Sequence, residues 1–134
     1  MKPPEGSEVA AWIEKAAEDE QAIDVLLEHS PWLLSVIGFH AQQAAEKWLK
    51  ALLVACGEDA PRTHDLVALL ERTMSDLDDD ATVLLDAQWL TGFGVLPRYP
   101  GAPVPIRDPE ATSREAVARL RRIVDAVRAR MPST

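Results

Sequence analysis

The segment from residue 39 to residue 57, FHAQQAAEKWLKALLVACG, constrains the fold of this chain more than any other. Plotted at about 100° per residue, its apolar side chains cover roughly 200° of a helix surface. The polar side chains gather on the other side of the helix, at Gln43, Glu46, Lys47 and Lys50. Because this apolar face is too wide for one neighbouring helix, we expect the segment to meet a partner.

One glutamine lies inside the apolar face. Gln42 projects between Leu49 and Leu53, and a buried amide without hydrogen-bond partners costs roughly 1 to 3 kcal/mol. Gln42 therefore either meets backbone or polar groups within its own core or crosses a subunit interface. The second alternative makes Gln42, Leu49 and Leu53 the candidate dimer-interface residues.

Amphipathic periodicity elsewhere predicts further helices, and no segment has the alternating pattern of a strand. We predict helices over about 7–28, 33–56, 63–74, 79–90 and 109–130. Ser7 and Thr63 are the expected N-caps, and Gly57 suits the left-handed position after the second helix. The 134 residues predict a single all-α domain with its core over about 7–130, an antiparallel up-and-down bundle of four to five helices.

Two parts of this bundle leave alternatives open. Asp19 and Glu20 fall on or beside the apolar face of the first helix, where we expect them at the edge of the packing surface rather than in a polar site. Residues 95–109 contain five prolines. They predict an irregular surface loop long enough to be functional.

The charge of the chain is unevenly distributed. Residues 1–96 contain 6 Lys and Arg against 18 Asp and Glu, whereas residues 97–134 contain 8 against 4. The net charge of -8 argues against general adsorption to nucleic acid, and the basic last helix is either a solvated face or a phosphate-binding stripe.

The remaining composition bears on the compartment. A single cysteine, Cys56, forms no intrachain disulfide and fits a reducing environment. There is no apolar run of the roughly 20 residues that a bilayer requires, and no signal-peptide core. We expect a cytoplasmic protein without membrane contact, and we predict no metal site and no cofactor.

Three short motifs occur in order along the chain: QQAAEKWLKAL at 42–52, THDL at 63–66 and RYP at 98–100. Together they resemble the HEPN domain family, and the resemblance covers about residues 7–130. It implies a helical bundle that pairs into a homodimer and acts with a nucleotidyltransferase-like partner, as in two-gene toxin–antitoxin pairs. It also implies a module that binds nucleotides or RNA.

The resemblance suggests where such a ligand binds. Gln43, Glu46, Lys47 and Lys50 would line a polar cleft that faces the Arg98–Tyr99 loop. Lysine and arginine would hold phosphates, and Tyr99 would stack on a base. Alternatively, Glu46 and Lys50 form only a helix-surface ion pair worth roughly 0.2 to 0.5 kcal/mol, and Arg98 anchors its loop to acidic residues of the first or third helix.

Many members of this family are metal-independent ribonucleases with an Arg-x4-6-His pattern, and this chain departs from that pattern. Arg62 precedes His64 by only two residues, and neither His29 nor His40 follows an arginine at the required spacing. We therefore assign no catalytic residue. His64 is the remaining candidate, although its position at the start of a helix favours a structural turn.

Three functions stay open at this point. The leading one is a nucleotide- or RNA-phosphate-binding homodimer. The second is a metal-independent ribonuclease with a non-standard catalytic set of His64, Arg62 and Glu46. The third is a structural dimerisation module that binds no small ligand.

Overall fold

All regular secondary structure in the described part of the chain is helical. A computed structural model describes residues 7–73, 81–93 and 108–132. These residues form five helices and no strand: α1 (Glu8–His29), α2 (Leu34–Ala55), α3 (Leu66–Thr73), α4 (Ala81–Thr91) and α5 (Pro109–Arg130). The predicted all-α bundle is confirmed, while the proline-rich loop lies outside the described residues up to position 107. None of these five helices combines the length and apolarity needed to cross a bilayer.

Two predicted helix ends are confirmed by their hydrogen bonds. The hydroxyl of Ser7 accepts a hydrogen bond from the backbone N–H of Ala10 at 3.1 Å, which caps α1. Gly57 has φ +90, and the N–H of Glu58 donates to the carbonyl of Leu53 at 3.0 Å. Glycine adopts this left-handed conformation without a Cβ clash, so α2 ends where the sequence predicts.

The start of α3 differs from the prediction. The carboxylate of Asp65 accepts from the N–H groups of Val67 at 3.0 Å and Ala68 at 3.4 Å, so Asp65 caps the helix. The hydroxyl of Thr63 instead accepts from the N–H of Asp65 at 3.1 Å. The expectation that Thr63 caps this helix was therefore wrong, and α3 begins three residues later. The start of α5 is as predicted, with Asp108 accepting from the N–H of Ala111 at 3.0 Å.

Helix α2 lies at the centre of the bundle and packs against all four other helices. Its small residues allow close approach, since a Cβ on Gly38 would lie 2.5 Å from Cδ1 of Phe93. Gln42, Leu49 and Leu53 are 0%, 0% and 1% exposed. The width of the apolar face is therefore explained by neighbours in the same chain. These three side chains offer no accessible surface to a second copy, contrary to our expectation of an interface there.

Candidate functional site

The outer edge of α2 carries a line of polar side chains above two buried carboxylates. We call this surface the polar strip and define it by four accessible or half-buried side chains: His40, Gln43, Lys47 and His64. Asp19 of α1 and Glu46 of α2 lie beneath it. Each carboxylate binds one histidine and one lysine, so two similar charged clusters support the strip.

The first cluster is centred on Asp19, whose side chain is 10% exposed. Nδ1 of His40 lies 2.8 Å from Oδ1, and Nζ of Lys47 lies 2.6 Å from Oδ2. The expectation that Asp19 sits at the edge of the packing surface was wrong. Glu20 next to it accepts a hydrogen bond from Nε1 of Trp48 at 3.2 Å. Asp19 and Glu20 of α1 therefore both accept hydrogen bonds from side chains of α2.

The second cluster is centred on Glu46, whose side chain is 5% exposed. Oε1 lies 2.8 Å from Nδ1 of His64, and Oε2 accepts from Nζ of Lys50 at 3.1 Å. Lys50 also lies over the ring of Trp12, 5.4 Å from its centroid. The predicted Glu46–Lys50 ion pair is present, but it is buried rather than on the helix surface.

The two glutamines connect the second cluster to the surface. Nε2 of Gln42 donates to the carbonyl of His64 at 3.0 Å and lies 3.4 Å from Oε1 of Glu46. Oε1 of Gln42 accepts from Nε2 of Gln43 at 2.8 Å. Gln42 is thus satisfied within its own chain, which decides between the two alternatives that the sequence left open. At about 100° per residue, Gln43 lies between the Asp19 and Glu46 clusters on α2.

His64 is the most accessible member of the strip, with 78% of its side chain exposed. Because an ionised carboxylate only accepts hydrogen bonds, Nδ1 of His64 carries the hydrogen in its contact with Glu46. That contact orients the ring, and within residues 7–73, 81–93 and 108–132 the other ring nitrogen, Nε2, makes no hydrogen bond. The carbonyl of His64 accepts the hydrogen bond from Gln42, which links the turn before α3 to α2.

The predicted ligand-binding residues divide into three groups. Gln43 and Lys47 lie in the strip, with Lys47 22% exposed. Glu46 and Lys50 lie beneath it, with 5% and 7% of their side chains exposed. Arg98 and Tyr99 lie outside the described residues.

Sequence reasoning missed His40 and misplaced Asp19. His40 lies seven residues before Lys47, which puts both side chains on one face of α2. A charged residue within an apolar face of α1 and a histidine in register with a lysine on α2 were the available signals. Over residues 7–73, 81–93 and 108–132, no group of three or more His, Cys, Asp or Glu side chains is arranged to hold a metal ion.

Comparison with known proteins gives one family and two similar structures. The sequence model of the HEPN domain family matches residues 9–130 of this chain. A crystal structure of TT1696 from Thermus thermophilus is 25% identical, covers 91% of this chain and 97% of its own, and superposes with a TM-score of 0.77. The structure of ST0689, described as an archaeal HEPN homologue, is 24% identical, with coverages of 94% and 99% and a TM-score of 0.73. No curated protein has a significant sequence match.

Proposed function

Because this chain belongs to the HEPN family, which its match over residues 9–130 establishes, we propose that it binds a nucleotide or an RNA phosphate on the polar strip. The proposal rests on one observation. Three side chains that can carry positive charge, His40, Lys47 and His64, are held in place by buried carboxylates and remain accessible to solvent.

Fixed donors favour phosphate binding because little conformational freedom is lost when the ligand arrives. Lys47 and the two imidazoles provide N–H groups for phosphate oxygens, and hydrogen bonds to charged groups are roughly twice as strong as neutral ones. Gln43 adds an amide between the two clusters. We retain Arg98 and Tyr99 in the proposal as a further cation and a stacking ring.

The test is isothermal titration of the protein with a panel of nucleoside mono-, di- and triphosphates. We expect heat that saturates for at least one nucleotide, and an affinity about tenfold lower in Lys47→Ala. Arg114→Ala is the matched control, since this arginine also pairs with a carboxylate but is 58% exposed and lies on α5, which contributes no residue to the strip. A flat titration with every nucleotide at millimolar concentration would refute the proposal.

A second candidate function is ribonuclease activity, and the contact between Glu46 and His64 favours it. A carboxylate that orients one nitrogen of an exposed imidazole is an arrangement suited to general acid and base catalysis. Nε2 of His64 would take the proton from a ribose 2′-hydroxyl, whose oxygen then attacks the adjacent phosphorus. The bond to the 5′-oxygen breaks, the 5′-oxygen takes up a proton from water, and a 2′,3′-cyclic phosphate remains. Arg62 is exposed two residues away and would stabilise the added negative charge.

This second function is tested by incubating the protein with RNA and comparing His64→Ala with His29→Ala. His29 is a suitable control because its side chain is 69% exposed and lies at the end of α1. We expect cleavage that is lost in His64→Ala and kept in His29→Ala. Equal rates for all three proteins would exclude His64 as the catalytic base.

The proposal includes a homodimer, a cytoplasmic location and a nucleotidyltransferase-like partner. Exposed apolar side chains at the α1–α2 turn support the dimer, with Trp32 60%, Leu33 38% and Val36 39% exposed. Trp32→Glu should therefore convert a dimer to a monomer in sedimentation experiments, and an unchanged mass would place the contact elsewhere. Family membership alone supports the partner, and the gene next to this one is the simplest evidence to obtain.

A further inference from the structure

A third buried carboxylate lies between α4 and α5, away from the polar strip. Asp86 of α4 is 1% exposed at its side chain. Its Oδ2 accepts from Nε of Arg122 at 2.8 Å, and its Oδ1 accepts from Nη2 of Arg122 at 2.8 Å. Nη1 of Arg119 also donates to Oδ1, at 3.2 Å. One buried carboxylate therefore fixes two guanidinium groups.

The guanidinium of Arg119 has several partners besides Asp86. Nε and Nη2 donate to Oε1 of Glu115 at 3.2 and 2.9 Å, and its guanidinium lies over the Trp89 ring, 4.9 Å from the centroid. Arg122 is different. Over the described ranges 7–73, 81–93 and 108–132, its Nη1 donates no hydrogen bond, although the side chain is 47% exposed.

The charge of Arg122 is permanent. Its pKa lies above the ordinary value because its side chain donates hydrogen bonds to Asp86. Desolvation by burial lowers the pKa of Arg122, whereas the electrostatic attraction to Asp86 and Glu115 raises it further. Arg122 therefore presents a fixed positive charge at the surface of the bundle.

These groups line an open groove of about 520 Å³ between α4 and α5, which we call the α4–α5 groove. Its lining is mainly apolar and includes Leu85, an α4 residue that is 59% exposed. Thr82, Leu85 and Trp89 follow one side of α4 over about two turns, or roughly 10 Å. Among the described residues, the groove thus combines an exposed leucine, the ring of Trp89 and an edge of the Arg122 guanidinium that donates no hydrogen bond.

We propose that the α4–α5 groove docks an acidic helical segment of a partner protein. An apolar side chain of that segment packs on Leu85 and Trp89, and a carboxylate one turn away binds Nη1 of Arg122. Tryptophan and arginine are the residues that dominate protein interfaces, and both are held in place here before the partner arrives. The α4–α5 groove is separate from the polar strip, and this proposal does not depend on phosphate binding there.

The hydrogen bonds argue against a nucleotide in this groove. A phosphate group accepts several hydrogen bonds at once, whereas Arg119 already uses its donors on Glu115, Asp86 and the carbonyl of Leu85. The guanidinium edge of Arg122 that has no partner among the described residues matches a single carboxylate. An open groove with an exposed leucine also suits a helix face better than a small ligand, which pockets enclose.

The experiment uses the full-length protein and a labelled, synthetic helical peptide of about 15 residues with Leu and Glu on one face. Two further peptides carry Gln or Lys in place of Glu. Fluorescence anisotropy gives the affinities, and the amide signals of Leu85 and Gln88 in NMR spectra locate the binding site. We expect the Glu peptide to bind at the groove about tenfold more tightly than the Lys peptide, with the Gln peptide between them.

Leu85→Glu should weaken binding of the Glu peptide about tenfold, because it removes the apolar contact and adds a repelling charge. Val25→Glu is the matched control, since Val25 is also 59% exposed but lies on α1, and it should leave the affinity unchanged. Equal binding of the Glu and Lys peptides, or an equal loss in both variants, would overturn the proposal. A change in oligomeric state caused by Leu85→Glu would overturn it as well, because the groove would then be an interface between copies of this chain.

Discussion

The polar strip and the α4–α5 groove are both built on buried carboxylates, but different bases surround them. Asp86 is bound by two guanidinium groups, which stay charged at every accessible pH. Glu46 is bound by an amine, an amide and an imidazole, and histidine is the side chain that exchanges protons near neutral pH.

This difference separates two uses of a buried charge. At the groove, the carboxylate fixes permanent charges and so gives a rigid surface suited to docking. At the strip, it orients a histidine whose second nitrogen is open to solvent, which suits ligand binding and proton transfer. Four predictions, ordered by the size of the expected effect, can break or sharpen this comparison.

The largest effect is expected for the double variant Arg119→Ala, Arg122→Ala. It leaves Asp86 buried without a charged partner, and breaking a buried ion pair in this way destabilises by about 3 to 5 kcal/mol. Urea denaturation measures the free energy of unfolding. Asp86→Ala should have a smaller effect, because both arginines can then turn toward water. A double variant as stable as wild type would show that Asp86 is hydrated and that the groove is not rigid.

A smaller effect is expected for Glu46→Gln in the strip. The glutamine keeps an acceptor for His64, but it leaves the ammonium of buried Lys50 without its carboxylate. We expect the free energy of unfolding to fall by about 1 to 3 kcal/mol, measured by the same denaturation method. No change would mean that Lys50 reaches solvent in the native state and that the second cluster is looser than the groove.

The third prediction concerns pH. The pKa of Arg122 is raised by Asp86, so the stability that this arginine contributes is present below its ordinary value and is lost only in strong alkali. The unfolding free energy of wild type minus that of Arg122→Ala should therefore be the same at neutral and at mildly alkaline pH. We expect this difference to change by less than about 0.5 kcal/mol over that range. A difference that shrinks over this range would contradict a permanently charged groove.

The smallest effect is expected at an exposed ion pair on α5. Glu110 and Arg114 lie 3.4 Å apart, with 53% and 58% of their side chains exposed. Glu110→Ala should cost less than about 0.5 kcal/mol in a denaturation experiment. A loss as large as that in Glu46→Gln would mean that burial is not what distinguishes the strip and the groove from ordinary surface pairs.

Features set by local interactions could be predicted from the sequence. Ser7 and Gly57 act within one helical turn of their own positions, and the bounds of α5 follow from its periodicity and the proline at its start. The start of α3 was mispredicted because Thr63 and Asp65 are both good capping residues. Asp65 is the one whose side chain reaches the first free N–H groups.

Features that join distant parts of the chain could not be predicted in the same way. Asp19 and His40 are 21 positions apart, and only the antiparallel packing of α1 on α2 brings them together. The hydrogen-bond partner of Gln42 likewise could not be predicted, because it depends on where the carbonyl of His64 lies in the folded chain. The Glu46–Lys50 pair followed from its spacing, whereas its burial depended on Trp12 and the packing of α1.

The central claim is that the polar strip binds a phosphate through its oriented histidines. The most direct test follows the side-chain ¹⁵N signals of the three histidines by NMR while a nucleoside monophosphate is added to wild type and to Glu46→Gln. We predict that the His40 and His64 signals shift and saturate in wild type, that the His64 shift is reduced in Glu46→Gln, and that His29 stays constant. Equal shifts of His29 and His64, or no shift at millimolar nucleotide, would contradict the account.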